Sequence, residues 1–141
     1  MMAQKKFLMF EIGNGKYALP LDSIQQVVDV PDIMPVPETP RCILGVTNVR
    51  GEIIPVMDLS TRLEMGRTEI TEQAKLAIAF VDENKIAFLL ESLPDVISEN
   101  SDNISTDLSN VEIHINTDFV RGIIPEKFLV ILDIKKLVEM E

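Results

Sequence analysis

The chain repeats itself, and the duplication restricts its fold more than any other feature. Lys16-Tyr17-Ala18-Leu19-Pro20-Leu21-Asp22-Ser23-Ile24-Gln25-Gln26-Val27-Val28 aligns without gaps on Lys85-Ile86-Ala87-Phe88-Leu89-Leu90-Glu91-Ser92-Leu93-Pro94-Asp95-Val96-Ile97, with lysine, alanine, leucine, serine and valine in register. Upstream, Phe7-Leu8-Met9-Phe10-Glu11-Ile12 matches Leu76-Ala77-Ile78-Ala79-Phe80-Val81, and each run is followed by a polar turn, Gly13-Asn14-Gly15 or Asp82-Glu83-Asn84. Short apolar runs around such turns predict that each repeat opens with a β-hairpin. The ends agree too: Asp58-Leu59-Ser60-Thr61-Arg62-Leu63-Glu64-Met65 resembles Asp133-Ile134-Lys135-Lys136-Leu137-Val138-Glu139-Met140.

The repeats run over about 7–65 and 76–140, with polar residues Gly66 to Gln73 between them. In a chain of 141 residues each unit is too small to bury an adequate core alone, so the two are expected to share one. An apolar content of 46% is ample for that core. In both repeats a strand-like run stops at an aspartate, whose carboxylate can accept the open amides of a helix's first turn; Asp58 and Asp133 therefore read as N-caps of short helices. Ile134, Leu137 and Val138 would share one face of the second helix.

Other segments carry their own patterns. The nearly continuous run Phe128-Leu129-Val130-Ile131-Leu132 predicts a strand covered on both faces. Leu76, Ile78 and Phe80 alternate with Ala77 and Ala79, which predicts large side chains inward and small ones outward in a curved sheet. Pro31, Pro35, Pro37 and Pro40 favour an extended connection, with Thr39-Pro40 as a helix start and Gly45 as its stop. Glu99 to Asn110, rich in Ser, Asn and Asp, is expected to be a solvated loop pinned by Ile104.

Charge excludes several function classes. Acidic residues outnumber basic ones 23 to 13, a formal charge of −10, so the field of the protein opposes phosphate backbones and anionic headgroups. Neither nucleic acid nor a membrane surface is expected as a direct partner. No apolar run approaches the roughly 20 residues of a spanning helix, and Met1-Met2-Ala3-Gln4-Lys5-Lys6 leads into alternation without a signal-peptide core, so a cytoplasmic location is expected.

Catalytic groups are sparse. His114, the sole histidine, lies between Ile113 and Ile115 and is expected to face outward. One histidine and one cysteine make a zinc site a poor fit, and no glycine spacing forms a phosphate cradle; no metal or cofactor is expected. Cys42, within Cys42-Ile43-Leu44, reads as a small buried hydrophobe, the alternative being a reactive thiol. Asp58 and Asp133 could serve as a general acid and base only if they faced one another in a cleft, and as caps each costs about 1 kcal/mol on removal.

Cys42 to Leu59 reads as strand, tight turn and strand. Gly51 supplies the positive φ of the turn. Arg50 at its tip presents a planar fork of donors suited to a carboxylate, either within the protein or on a partner. Gly45-Val46-Thr47-Asn48-Val49-Arg50-Gly51-Glu52-Ile53-Ile54-Pro55-Val56-Met57-Asp58-Leu59 resembles the G-V-I-N-L-R-G-x-I-x-P-V-x-D-L block of the CheW-like chemotaxis coupling proteins. The opening hairpin, Ile33-Met34-Pro35-Val36-Pro37 and Leu129-Val130-Ile131-Leu132-Asp133-Ile134 match as well, so the resemblance extends over nearly the whole chain.

The resemblance implies a mainly β fold, two intertwined five-stranded SH3-like barrels with a few short helices, forming a single CheW-like domain over 1–141. It implies a non-enzymatic adaptor, without cofactors, that joins the cytoplasmic tips of methyl-accepting chemoreceptors to the regulatory domain of a CheA-type histidine kinase. Such a protein is cytoplasmic, recruited to membrane-associated receptor arrays, and a monomer when isolated. Carried over by position, Val27, Val28, Val30 and Ile33 would line a groove for the receptor's helical hairpin, with Val96 and Ile97 opposite; the alternative is that all six are plain core. Asn48, Arg50 and Gly51 match the family's turn motif, with Arg50 as a receptor or kinase contact. Leu90-Glu91, where many relatives have valine and aspartate, and Pro125-Glu126-Lys127, in place of an Asp-Gly turn, depart from the pattern and bear on partner specificity. A scaffold in a non-flagellar signalling array is the alternative within the fold, and a small acidic enzyme using Asp58 and Asp133 the alternative outside it.

Overall fold

The computed structural model describes residues 3–139. Eleven strands and two short α-helices follow one another as β1 (Gln4–Ile12), β2 (Gly15–Pro20), β3 (Ile24–Asp29), β4 (Ile33–Met34), β5 (Ile43–Val49), β6 (Glu52–Asp58), α1 (Leu59–Arg62), β7 (Lys75–Val81), β8 (Asn84–Leu90), β9 (Asp95–Asn100), β10 (Val120–Ile124), β11 (Leu129–Leu132) and α2 (Ile134–Val138). Both opening hairpins form as expected, β1 with β2 and β7 with β8. Their two-residue turns begin with positive φ, 58° at Gly13 and 57° at Asp82, the conformation that lets a tight loop follow the right-handed strand twist.

The repeats exchange strands. One sheet runs β10-β11-β2-β1-β9 and the other β3-β7-β8-β6-β5-β4, so each combines the hairpin of one repeat with the later strands of the other. The exchange is reciprocal: β3 pairs antiparallel with β7, placing Val27 opposite Ala77, while β9 pairs with β1, placing Val96 opposite Leu8. Parallel pairs close the pattern, β11 on β2 and β6 on β8. The second sheet carries β4 as a sixth, two-residue strand on β5.

Side-chain alternation then creates three apolar clusters. Phe7, Ala18, Ile124, Leu129 and Ile131 fill the first barrel. Val49, Ile54, Val56, Leu76, Ile78 and Leu89 fill the second. The largest cluster lies between the barrels and takes Leu8, Phe10, Ile12, Leu19, Met57, Ala77, Ala79, Phe88, Leu90, Leu132 and Leu137 from both repeats. Phe7 and Leu8, adjacent in β1, face different clusters, as the two-residue period of a strand requires. Phe88 is fully buried at the centre, where truncation to alanine removes about 3–5 kcal/mol.

Several expectations from sequence are corrected. Ala77 and Ala79 do not face outward: they are fully buried against the other barrel, small because two sheets meet there, while Phe80 at the end of the strand is partly exposed. No helix starts at Thr39-Pro40; residues 37–42 form turns, and Gly45 lies inside β5. Its φ is +146°, and a β-carbon there would overlap the Met34 carbonyl, so this glycine permits the close approach of β4. β11 is covered on both faces, but Phe128 before it has φ 53° and is 86% exposed. Glu99 and Asn100 belong to β9, and Glu99 is buried, paired with Lys127 at 2.7 Å; the loop begins later, and Ile104 does pack against the first barrel.

Candidate functional site

β5 and β6 meet at a two-residue loop, Arg50-Gly51, closed by the pair Val49 and Glu52. Both loop residues have positive φ, 52° and 89°, the geometry of a type I′ hairpin. Asn48 stabilises it, its Oδ1 accepting a hydrogen bond from the Gly51 amide at 2.9 Å. Arg50 is exposed, and among the described residues it makes no ion pair, which removes the internal salt bridge as its role. Strand register also assembles an apolar stripe beside this turn. Met34 lies opposite Val46 and Val46 opposite Pro55, with Ile53 two residues away on the same face. Met34 is 69% and Ile53 65% exposed.

The six apolar positions carried over by resemblance divide between the barrels. Val28, Val30 and Ile33 are half-buried and pack together against the core of the second barrel. Val27, also half-buried, turns toward the cluster between the barrels. β9 lies at the edge of the other sheet; there Ile97 packs half-buried against the first barrel's core and Val96 is 60% exposed. Five of the six are half-buried against the core clusters and Val96 is exposed.

The two aspartates both cap helices, but with unequal partners. Asp133 Oδ1 accepts from the Lys136 amide at 3.3 Å. Asp58, fully buried, accepts four hydrogen bonds: from Ser60 N at 3.2 Å and Thr68 Oγ1 at 2.6 Å on Oδ1, and from Thr61 Oγ1 at 2.9 Å and Thr68 N at 2.8 Å on Oδ2. Asp58 thus fastens the segment between the repeats to the end of β6. Both of its oxygens are occupied by donors, which fits anchoring rather than proton transfer.

Sequence reasoning missed Arg62. Its Nε donates to the Leu137 carbonyl at 2.6 Å and its Nη2 to those of Lys136 at 3.1 Å and Glu139 at 2.7 Å, so a guanidinium from α1 caps the C-terminus of α2. The ring of Phe119 lies 4.7 Å from its central carbon. A signal was available: the repeat alignment puts Arg62 opposite Leu137, a charge where the other copy has core. Cys42 is buried, and burial pushes its thiol above the ordinary value against the opposing influence of Arg62; a reactive thiolate is disfavoured. His114 faces outward, as expected.

A family model described as CheW-like domain matches residues 6–141. The chain belongs to the CheW-like domain family. It is 32% identical to the chemotaxis protein CheW of Thermotoga maritima, over 97% of this chain and 91% of that one, and 24% identical to the CheW of Klebsiella aerogenes, over 97% and 83%. The crystal structure of the scaffolding protein TtCheW from Thermoanaerobacter tengcongensis superimposes with a TM-score of 0.86 at 28% identity, covering 99% of this chain and 90% of that one. The mainly β fold of two sheets and few short helices is therefore the CheW fold, and the chain is a CheW-family chemotaxis scaffold, not an enzyme. No helix among the described residues is long and apolar enough to cross a membrane.

Proposed function

We propose that this CheW-family protein couples the cytoplasmic tips of methyl-accepting chemoreceptors to the regulatory domain of a CheA-type histidine kinase, from the cytoplasmic side of membrane-associated receptor arrays. The observation that carries the reading is the half-buried row Val28, Val30 and Ile33 along and after the edge strand β3, apolar surface of the kind an amphipathic receptor helix needs, with Val27 on the opposite face of the strand. The stripe of Met34, Val46, Pro55 and Ile53 is a second apolar surface on the same barrel, available to a barrel of the kinase, and the uncommitted guanidinium of Arg50 supplies a charged contact. Val96 and Ile97 belong to the same proposal as contacts from the other barrel. Residues 1–141 act in it as one domain, since neither barrel is complete without strands from both repeats.

The test is the affinity of purified protein for a receptor tip fragment and for the kinase regulatory domain. Arg50→Glu is expected to weaken at least one of them tenfold or more, about 1.4 kcal/mol, at an unchanged melting temperature. Unchanged affinity for both would remove Arg50 from the interface.

A further inference from the structure

Three of the five arginines of this acidic chain line one cleft of about 1070 Å³: Arg41, Arg62 and Arg67, together with Cys42, Glu64 and Glu139. We propose that this cleft is a docking site for an acidic peptide segment of a partner protein, separate from the Val28 row and the Arg50 turn.

Charge is the first argument. Arg41 and Arg67 are exposed and make no ion pair among the described residues. Arg62 is hydrogen-bonded to carbonyl oxygens, which fix its position without an ion pair to a carboxylate among the described residues. Of the two acids present, Glu139 already pairs with Lys136 at 3.3 Å. With Lys136 and the buried Asp58 behind Thr61 both counted, four cations and three carboxylates leave a local formal charge of +1 among the described residues, in a protein whose total is −10. Guanidinium forks recognise carboxylates by two parallel hydrogen bonds, which lysines cannot do.

Rigidity is the second argument, and it accounts for the inequality of the two aspartates. Arg67 directly precedes Thr68, which is held twice by Asp58 through its amide and its hydroxyl. Arg41 precedes Cys42, whose carbonyl accepts from the Asp58 amide at 2.7 Å. Arg62 is fixed by the α2 carbonyls and Phe119. Asp58 therefore organises the backbone beside two of the three arginines; the Asp133 amide likewise bonds the Phe119 carbonyl at 2.8 Å, but its carboxylate, with one bond, holds no segment comparable to 66–68. Positions fixed in advance lower the ordering cost of binding.

Size and lining select the occupant. The cleft is open and mostly polar, with Glu64 and Glu139 able to accept backbone amides, unlike the enclosed apolar pockets that hold small molecules. A chain segment offering both carboxylates and amide donors satisfies these groups, and an isolated anion does not.

The experiment is a fluorescence anisotropy titration of the full chain with a fluorescein-labelled hexapeptide of alternating Glu and Gly, at low and physiological salt. Saturable binding is expected, weakened by salt and weakened tenfold or more in Arg41→Glu/Arg67→Glu and in Arg41→Ala/Arg67→Ala. Both doubles should melt like the parent. Arg121→Glu, an exposed arginine on β10, should bind as the parent does. Absence of saturable binding, an equal loss in Arg121→Glu, or displacement by inorganic phosphate as effective as by unlabelled peptide would each overturn the proposal, the last by making the cleft a small-anion site. Binding to receptor and kinase is measured on the same variants, so that failure here is distinguishable from failure of the coupling function.

Discussion

Replacing Asp58 and Asp133 one at a time separates a simple cap from a structural anchor. As caps in equivalent positions they would cost the same, about 1 kcal/mol. The structure makes them unequal. Asp133→Ala opens one 3.3 Å bond at a half-exposed helix start, and the figure of about 1 kcal/mol stands. Asp58→Ala removes the acceptor of four donors in a fully buried site. The single Thr61 Oγ1 proton, released from Asp58, can turn to the Gly66 carbonyl at 3.3 Å, so three buried donors are stranded: Ser60 N, Thr68 N and Thr68 Oγ1. At roughly 1–2 kcal/mol each, less what is regained by no longer burying a carboxylate, the expected loss is about 3 kcal/mol. The asparagine variants sharpen the contrast. Asn caps as well as Asp, so Asp133→Asn should be near neutral. At position 58 each oxygen faces one backbone amide, so whichever is replaced by NH₂ is set against a donor, and Asp58→Asn should lose about 2 kcal/mol or more. Urea denaturation of the four variants, extrapolated to water with a common slope, measures this. Equal losses for Asp58→Ala and Asp133→Ala, or a neutral Asp58→Asn, would refute the reasoning.

Two further outcomes are expected. Gly45→Ala should displace β4 from β5, because φ +146° disfavours a side chain and the new methyl meets the Met34 carbonyl; a loss of about 2–3 kcal/mol is expected, with faster amide exchange at Ile33 and Met34 than in the parent. Hydrogen bonds from Lys127 and then Asn103 hold the Glu99 carboxyl below its ordinary 4.5. A depressed folded-state value means stability that is present above 4.5 and lost as pH falls through the folded value. The deficit of Lys127→Ala relative to the parent, read by denaturation at neutral pH, should therefore shrink as the pH is taken below 4.5; a constant deficit would assign Lys127 a purely packing role.

The candidate site was legible in sequence where it is local. Asn48, Arg50 and Gly51 stand in a block whose turn chemistry can be read directly, because a two-residue hairpin needs positive φ and an adjacent side-chain acceptor. Arg50's lack of an ion-pair partner could not be read, since that depends on which carboxylates the fold brings near. The arginine cleft was invisible for the same reason: Arg41, Arg62 and Arg67 are separated in sequence by strands and a helix that only packing returns to one place.

The sequence by itself determined the duplication, both opening hairpins, the aspartate caps and the strand of 129–132 covered on both faces. It did not determine partners. Alternation states which side chains must leave water, and β3 meets that requirement equally against β1 of its own repeat or β7 of the other, because the two hairpins carry nearly the same pattern. Tertiary packing chose the exchange: the crossed pairing buries Ala77 and Ala79 in one cluster with Leu8, Phe10 and Leu19 and gives both barrels a common core. The same packing made Asp58 an anchor and left Asp133 a cap: both aspartates start a short helix, but Thr61 within the helix and Thr68 from the inter-repeat segment bring hydroxyls to only one of them.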